Sequence, residues 1–278
     1  MTMRISSRVI PLVCAVAASA ALVGGCGVSQ QQEVQMGQQE AQQVNAQLPI
    51  LNDALVNNYI NNLGTQIAHT TSRADLAWQF EVVNTDVVNA FALPGGFVYV
   101  NRGVLSRASN ESELASVLGH EIEHVVRRHS VKQMEQTQQA NIGVGLACAL
   151  TNVCANQAAQ AAIQVGGTAV FAKFSRTDEI QADEGGFQNM IHAGINPHGM
   201  LTFFEKLLAE EQRSGGGGAT SAWFADHPGT QDRIANVERM LSQTPQSELA
   251  RLRTDSRAFE SMKRRLAQLP PAPRAPRR

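Results

Sequence analysis

The sequence lacks an excess of charge of either sign. Its 278 residues include 23 Lys or Arg and 24 Asp or Glu, which gives a formal net charge of −1. It also lacks a basic stripe interleaved with aromatic side chains, a pattern typical of nucleic-acid-binding proteins. We therefore expect no nucleic acid among its partners. The hydrophobic content of 43% is ordinary for a globular protein and is enough for one substantial core with appendages.

A clean membrane-spanning run is also lacking. The apolar stretch Ile10–Val23 follows Arg4 and Arg8, is too short to cross a bilayer comfortably, and ends in small residues, as a cleaved export signal does. The stretch Asn141–Val170 is rich in Ala and Gly but is interrupted by Asn and Gln. We interpret it as a helical hairpin or a pair of loops that can touch a membrane without spanning it.

The end of the N-terminal apolar stretch carries Val23-Gly24-Gly25-Cys26, which resembles a bacterial lipobox. The resemblance implies that residues 1–25 are a lipoprotein signal peptide and that Cys26 is lipidated. Gly27 stands where inner-membrane lipoproteins have Asp, which implies anchoring in the bacterial outer membrane, facing the periplasm. Several acyl chains on one Cys would hold the protein firmly to a membrane. The alternatives are a plain secretory signal or an uncleaved helix.

Cysteine is scarce, and only four residues of this type are present. Cys14 belongs to the predicted signal and Cys26 to the predicted lipid anchor, so Cys148 and Cys154 remain. In an oxidising periplasm we expect these two to form a disulfide, the alternative being two buried thiols. Neither is a candidate zinc ligand, because no CxxC motif or close His accompanies them.

The rest of the chain divides into three segments. Residues 26–48 are rich in Gln and are predicted to be a tether or a polar helix that lifts the domain off the membrane. Residues 49–243 are predicted to form the folded domain, since apolar residues recur at helical spacing from Pro49 onwards. Residues 244–278 are predicted to hold a charged helix, Ser247–Leu266, and a disordered Pro/Arg-rich tail.

Two short segments of the folded domain are predicted strands. Trp78–Val83 and Gly96–Val100 are rich in β-branched and aromatic residues. The segment Asn89–Gly96 between them ends in Pro-Gly-Gly, and we interpret it as a turn into the second strand.

The most informative motif is His120-Glu121-Ile-Glu-His124, on a predicted helix. Asn110 and Glu113 form a predicted capping box at the start of this helix. His120 and His124 are one turn apart on the same side, so both imidazoles can bind one metal ion, and the geometry suits zinc. Glu121 lies about 100° around the helix, where its carboxylate can act as general base toward water. The alternative is a helix with two histidines at the edge of its apolar face.

A catalytic zinc ion needs a third protein ligand and an open position. The segment Ser175–Asp183 is predicted to begin a second helix, which places Glu179 and Asp183 on one face. Glu179 can then be the third ligand, while Asp183 orients a zinc-bound histidine. Asp178 and Glu184 are nearby alternatives, and without a metal the segment reads as a solvated acidic helix face.

Four motifs in order resemble one family of enzymes. Asn89–Val100, Leu118–His124, Ser175–Asp183 and Asp226–Arg233 match the zinc metallopeptidases that include the CAAX prenyl protease and the HtpX heat-shock protease, metallopeptidase family 48, and most closely their periplasmic lipoprotein branch. The resemblance implies an α+β, mostly helical fold of the gluzincin type, with a small β-sheet whose edge strand lines the active-site cleft. It also implies one Zn²⁺ per subunit.

The resemblance further assigns a substrate strand and two more site residues. The implied edge strand, against which an extended substrate pairs, is formed by Gly96, Phe97, Val98 and Tyr99. His227 is implied to return toward the metal, where it stabilises the oxyanion or fills the fourth zinc position in a resting state. The alternative is an ordinary surface histidine. Arg233 is expected to hold that segment or a nearby carboxylate.

The sequence thus predicts a zinc metalloendopeptidase. Its expected substrates are proteins or peptides, by resemblance misfolded or stalled envelope proteins. Its expected partners are the membrane, through the N-terminal lipid, and the outer-membrane assembly machinery. Two alternatives stay open: a periplasmic chaperone or scaffold with little or latent protease activity, and a structural zinc site with four protein ligands.

Overall fold

The structure, a computed structural model, describes residues 27–137, 174–215 and 218–273. The predicted signal peptide with Cys26, the apolar stretch 141–170, and the pair Cys148 and Cys154 lie outside the described residues. Lipidation and the disulfide therefore stay predictions. None of the described helices is both long enough and apolar enough to cross a membrane.

Helices make up most of the described chain, and three short strands form its sheet. In chain order the elements are α1 (Gln30–Gln47), α2 (Ala54–Ala68), β1 (Gln79–Val83), β2 (Ala90–Leu93), β3 (Phe97–Asn101), α3 (Arg102–Arg107), α4 (Glu111–Val126), α5 (Arg176–His192), α6 (His198–Ser214), α7 (Ser221–Asp226), α8 (Thr230–Gln243), α9 (Gln246–Leu249) and α10 (Arg257–Gln268). Residues 129–137 are helical as well. The predicted α+β, mostly helical class is confirmed.

The sheet has the strand order β1-β3-β2. β1 runs parallel to β3 and β2 runs antiparallel to it. Pro94-Gly95-Gly96 makes the turn from β2 to β3, and its two glycines have φ values of 80° and 104°, a conformation that residues with a Cβ atom rarely adopt. The predicted strands β1 and β3 are confirmed to within a residue at their ends.

The prediction that Asn89–Gly96 is only a turn is wrong, because its first half forms β2. Two of the four residues of β2 are Ala, which is depleted in strands, and the turn signal Pro-Gly-Gly follows at once. Pairing with β3 overrides this weak local preference.

Helix α4 lies at the centre of the main core, covered by α2, β2, α5 and α6. Every residue from Glu111 to Val125 is buried. The backbones of α4 and α5 meet where Gly119 faces Gly186. A Cβ atom at Gly186 would lie only 3.0 Å from the backbone nitrogen of His120, so a side chain there would push the helices apart. The glycine contact places α5 directly beside the HExxH residues.

Helix α1 matches the predicted polar helix, but it packs against the domain and does not stand away from it. Its apolar residues join a small cluster with Phe97 and Tyr99 on the sheet. Its Glu33 is completely buried. The Glu33 carboxylate accepts hydrogen bonds from Arg73 Nη1 at 2.7 Å and Arg128 Nε at 2.8 Å. Residues 30–47 are thus part of the folded unit.

The prediction of one C-terminal helix over Ser247–Leu266 is wrong in part. The structure has two helices there, α9 and α10, because Ser256 is a strong N-cap that starts a new helix; its hydroxyl accepts from Phe259 N at 3.1 Å. α10 packs against α2. The buried Arg102 donates to the Leu266 carbonyl at 3.2 Å, which fastens the end of α10 to the domain.

Candidate metal centre

Side-chain caps fix where α4 and α5 begin. Asn110 accepts a hydrogen bond from Glu113 N at 3.0 Å, as predicted. The second half of the predicted capping box is wrong, because the Glu113 carboxylate accepts from Ser109 N at 2.7 Å, one residue before the cap. α5 starts as predicted, with Ser175 and Asp178 in a capping box.

Four buried side chains from three segments converge beside the crossing of α4 and α5. They are His120 and His124 on α4, Glu179 on α5, and His227, which directly follows α7. Each offers one potential ligand atom, and these four atoms lie within 4.8 Å of one another.

Five of the six separations between these atoms are close to those of a tetrahedral metal site. His120 Nε2 lies 3.0 Å from His124 Nε2 and 3.2 Å from His227 Nδ1. The Glu179 carboxylate lies 3.4 Å from His120 Nε2, 3.5 Å from His124 Nε2 and 3.3 Å from His227 Nδ1. Nitrogen ligands about 2.0–2.1 Å from a tetrahedral zinc ion lie about 3.3 Å apart. These five separations are therefore close to those that such an ion requires.

The chemistry of the donor set leads to the same conclusion. Imidazole nitrogens and a carboxylate are the ligands that zinc takes in hydrolases. Lone pairs of two imidazole nitrogens only 3.0 Å apart repel each other unless a cation or a proton lies between them. The four residues therefore fit a divalent zinc-like ion.

Asp183 and Arg233 form the layer behind His120. The Asp183 carboxylate lies 2.8 Å from His120 Nδ1, so Nδ1–H donates and the Nε2 lone pair faces the ligand atoms. Arg233 donates two hydrogen bonds of 2.7 Å to Asp183. Its third nitrogen lies 2.8 Å from Glu179 Oε2, a charge contact without aligned hydrogen-bond geometry. Both predicted residues thus lie at the site.

Burial and charge together set the protonation states. For His120, burial and the Arg233 charge lower the pKa, but Glu179 and Asp183 outweigh them and raise the pKa to about 9. For His124, burial dominates and lowers the pKa to about 3. Burial opposes ionisation of Glu179, but the neighbouring histidine and arginine charges hold its pKa well below the usual range. A metal ion bound here would displace the His120 proton.

Glu121 differs from Asp183 and the four ligand candidates in its hydrogen bonding. It is completely buried, and neither of its carboxylate oxygens has a hydrogen-bond partner among the described residues. His227 Nε2 lies 3.5 Å from Glu121 Oε1. Burial raises the pKa of Glu121 against the lowering effect of the neighbouring histidines and Arg233. A raised pKa and unused oxygens are what a general base in a water-accepting site requires.

His227 is held in the site by neighbours on two sides. Its Nε2 lies 3.4 Å from the Ala90 carbonyl oxygen, and its ring centroid lies 4.6 Å from that of Trp223. The preceding Asp226 accepts a hydrogen bond of 2.7 Å from Asn89. His227 is 2% exposed, so the alternative of an ordinary surface histidine is wrong.

The prediction that Gly96, Phe97, Val98 and Tyr99 form the edge strand is wrong. β3 is the central strand, paired with β1 on one side and β2 on the other, so its backbone groups are taken. Within the described residues the strand at the α4 side of the sheet is β2. The motif Asn89–Val100 contains both strands, and the sequence alone did not separate them.

One residue of the site was missed at the sequence level. His129 lies 2.9 Å from His124, measured between their Nδ1 atoms, and it is 3% exposed. The only signal was a histidine five residues after His124, a spacing that does not bring side chains together on a regular helix.

Comparison with known proteins identifies the family. The model of peptidase family M48 matches residues 54–241. The β-barrel assembly-enhancing protease of Escherichia coli (strain K12) is 32% identical over 225 residues, which cover 79% of this chain and 46% of that protein. The mitochondrial metalloendopeptidase OMA1 of Schizosaccharomyces pombe is 31% identical over 197 residues, 71% of this chain and 56% of that protein.

A third relative, metalloprotease LoiP of Escherichia coli, is 30% identical over 164 residues, which cover 59% of this chain and 62% of LoiP. The chain spans about half the length of the curated relatives it matches first. The matched region contains all four ligand candidates and Glu121, and the resemblance inferred from the motifs is confirmed. The chain therefore belongs to peptidase family M48, whose members use a metal cofactor.

Proposed function

We propose that this protein is a zinc-dependent endopeptidase with one Zn²⁺ per subunit, held by His120, His124 and Glu179. The spacing of the ligand atoms, 3.0–3.5 Å between contacting pairs, is the observation that carries the proposal. The bound ion would polarise the scissile carbonyl and lower the pKa of water.

Glu121 is the proposed general base. Its carboxylate, which has no hydrogen-bond partner among the described residues, takes a proton from the attacking water and returns it to the leaving amine nitrogen. Burial raises the pKa of this carboxyl in the metal-free protein, which favours its acceptance of a proton. Asp183 and Arg233 act through His120 and Glu179, which they hold in place.

His227 is the proposed occupant of the fourth position in the resting protein. Its Nδ1 lies among the other ligand atoms, and its Nε2 lies 3.4 Å from the Ala90 carbonyl. A substrate carbonyl would have to replace it. The alternative role of this imidazole is to donate a hydrogen bond to the oxyanion.

The proposed substrate strand is β2. Asn101 N donates to Asn89 O, and hydrogen-bonded pairs alternate along an antiparallel ladder, so Ala90 and Ala92 turn their N–H and C=O groups away from β3. An extended peptide can pair with these groups beside the metal centre. Such pairing uses backbone hydrogen bonds and therefore tolerates varied substrate side chains.

The proposed location is the periplasmic face of the bacterial outer membrane, with the lipid on Cys26 as anchor. Misfolded or stalled envelope proteins are the proposed substrates. The name of the Escherichia coli relative, β-barrel assembly-enhancing protease, supports a link to the outer-membrane assembly machinery.

A second candidate function is a chaperone or scaffold that binds in the same groove and cuts rarely. Occupation of the fourth ligand position by His227 favours it, since that position must open before hydrolysis. A structural site with four protein ligands would have the same resting geometry.

The test uses casein and a denatured outer-membrane protein, incubated with wild type and Glu121→Gln, each with and without chelator. Cleavage by wild type alone, lost with chelator, supports the endopeptidase. Full activity of Glu121→Gln refutes the mechanism. Absence of cleavage by wild type, with Glu121→Gln restoring growth of a deletion strain, favours the chaperone.

A further inference from the structure

The chain makes an unusual bend directly after the HExxH helix. Arg128 has φ = 58°, and among the described residues it is the only one besides glycines with positive φ. This left-handed conformation costs a residue with a Cβ atom about 1–2 kcal/mol. Arg128 is held in it by a 2.8 Å hydrogen bond to the buried Glu33 and by a bond to the Val28 carbonyl.

The bend brings together two side chains that a continuous helix would keep apart. His129 is five residues after His124, which on a regular helix is about 140° around the axis. After the bend, His129 Nδ1 lies 2.9 Å from His124 Nδ1, and the ring centroids are 5.0 Å apart at 73°. Strained backbone that delivers a buried polar side chain to a site is a pointer to function.

The metal site determines which of the two histidines donates the hydrogen bond in this contact. His124 Nε2 faces the other ligand atoms and must keep its lone pair free, so the neutral ring carries its hydrogen on Nδ1. His129 Nδ1 then accepts, and the His129 hydrogen sits on Nε2. That atom lies 3.3 Å from the Gln181 amide oxygen, an acceptor.

Helix α5 thereby supports both histidines of the motif. It supplies Asp183 to His120 directly, and it supplies Gln181 to His124 through His129. His120 and His124 thus each have a partner that fixes their tautomer, although no carboxylate contacts His124 Nδ1 among the described residues.

We propose that His129 is a positioning residue for the metal ligand His124. It accepts a hydrogen bond from His124 Nδ1–H and donates one from its own Nε2–H to the Gln181 amide oxygen. These bonds fix His124 in the tautomer and ring orientation that bind the ion. The inference rests on the proposed metal centre, and it concerns a residue that the HExxH motif does not include.

The first test is zinc affinity, measured by competition with a chromophoric chelator. Two substitutions of His129, by Leu and by Asn, are compared. Leu and Asn are close in shape, but only Asn has an acceptor oxygen, which is as many bonds from Cα as His Nδ1. His129→Leu should weaken zinc binding about 10- to 100-fold, the usual effect of removing such a partner. His129→Asn should regain most of the affinity, because the acceptor is restored.

Val131→Ala is the matched control. Val131 is 1% exposed on the same helical segment and has no polar contact with the site, so this variant lowers thermal stability without changing zinc affinity. Equal affinities of wild type, His129→Leu and Val131→Ala would overturn the proposal. Equal weakening in the Leu and Asn variants would also overturn it, since the effect would then come from packing. Failure of wild type to bind zinc would instead refute the proposed metal centre.

The second test reads the tautomers directly. In the zinc-loaded protein with isotope-labelled histidine, NMR should show His124 protonated on Nδ1 and His129 protonated on Nε2 only. His129 protonated on Nδ1 would reverse the hydrogen bond and contradict the proposal, whatever the activity of the sample.

Discussion

Glu121 illustrates the conflict between stability and function in a single side chain. A buried carboxylate without hydrogen-bond partners costs stability, and among the described residues no group replaces the water that the Glu121 carboxylate loses. Its folded pKa is raised, so this cost is absent below the unfolded pKa and grows as pH rises above it. The group is retained because the proposed reaction uses its free oxygens.

We therefore expect Glu121→Gln to stabilise the metal-free protein at pH 7 by about 1 kcal/mol or more, since a neutral amide avoids the cost of burying an ionised carboxylate. Hydrolysis should fall about 10²- to 10⁴-fold, the usual contribution of a general base. Urea unfolding of chelated samples and peptide hydrolysis by loaded samples measure the two effects. A variant less stable than wild type would contradict the stability argument.

The role of His227 in the resting protein can be tested by removing its imidazole. If the His227 imidazole fills the fourth ligand position in the resting protein, a substrate must displace it before hydrolysis. His227→Ala should then raise kcat/KM on a short peptide by at least about threefold, because the open state is already populated. Zinc affinity should fall at the same time. His198→Ala, at an exposed histidine on α6, is the control and should change neither quantity. A large loss of kcat in His227→Ala would instead assign the residue to the oxyanion.

The spacing of residues in the sequence was sufficient to predict the site residues that lie on regular helices. The i,i+4 rule placed His120 beside His124 and Glu179 beside Asp183, and both pairs converge in the structure. The rule could not find His129, because its contact depends on the left-handed bend at Arg128.

The geometry of the site depends on how closely α4 and α5 approach each other. The ligands His120 and Glu179 come from different helices, and the glycines at the crossing set the distance between those helices. Helix–helix distance depends on such side chains at the contact.

Gly186→Val should therefore push α5 outward, destabilise the fold by about 1–3 kcal/mol, as overpacking does, and weaken zinc binding. Gln188→Ala, at an exposed position of the same helix, should do neither. Thermal unfolding with chelator and zinc titration separate the two effects. Unchanged zinc affinity in a folded Gly186→Val would show that the crossing distance does not control the site.

Elements with strong local signals were predictable, and those fixed by tertiary pairing were not. The capping residue Asn110 marked the start of α4 in the sequence, and a second helix was predicted to begin at Ser175, where α5 begins. β2 was missed because its alanines favour a strand only when β3 lies beside them, and this error moved the proposed substrate strand by one position in the sheet.

Helix α1 connects distant parts of the fold through one carboxylate. Glu33 accepts from Arg73 after α2, from Arg128 after α4, and from Gly95 N at 3.2 Å in the turn before β3. A Gln-rich sequence gave no reason to expect a buried charge there. Three segments far apart in sequence therefore meet at α1.

Removing this charge should destabilise the whole domain. Glu33→Gln leaves the mostly buried Arg73 without its counter-ion, and breaking a buried pair in this way costs about 3–5 kcal/mol. Glu40→Gln, on the same helix but without an ion pair among the described residues, should cost far less. Urea midpoints of both variants give the comparison.

Because Glu33 also holds Arg128 in its bend, Glu33→Gln should weaken zinc binding as well, and His129→Leu should then add little further weakening. Independent, additive losses would mean that α1 stabilises the fold without supporting the metal centre.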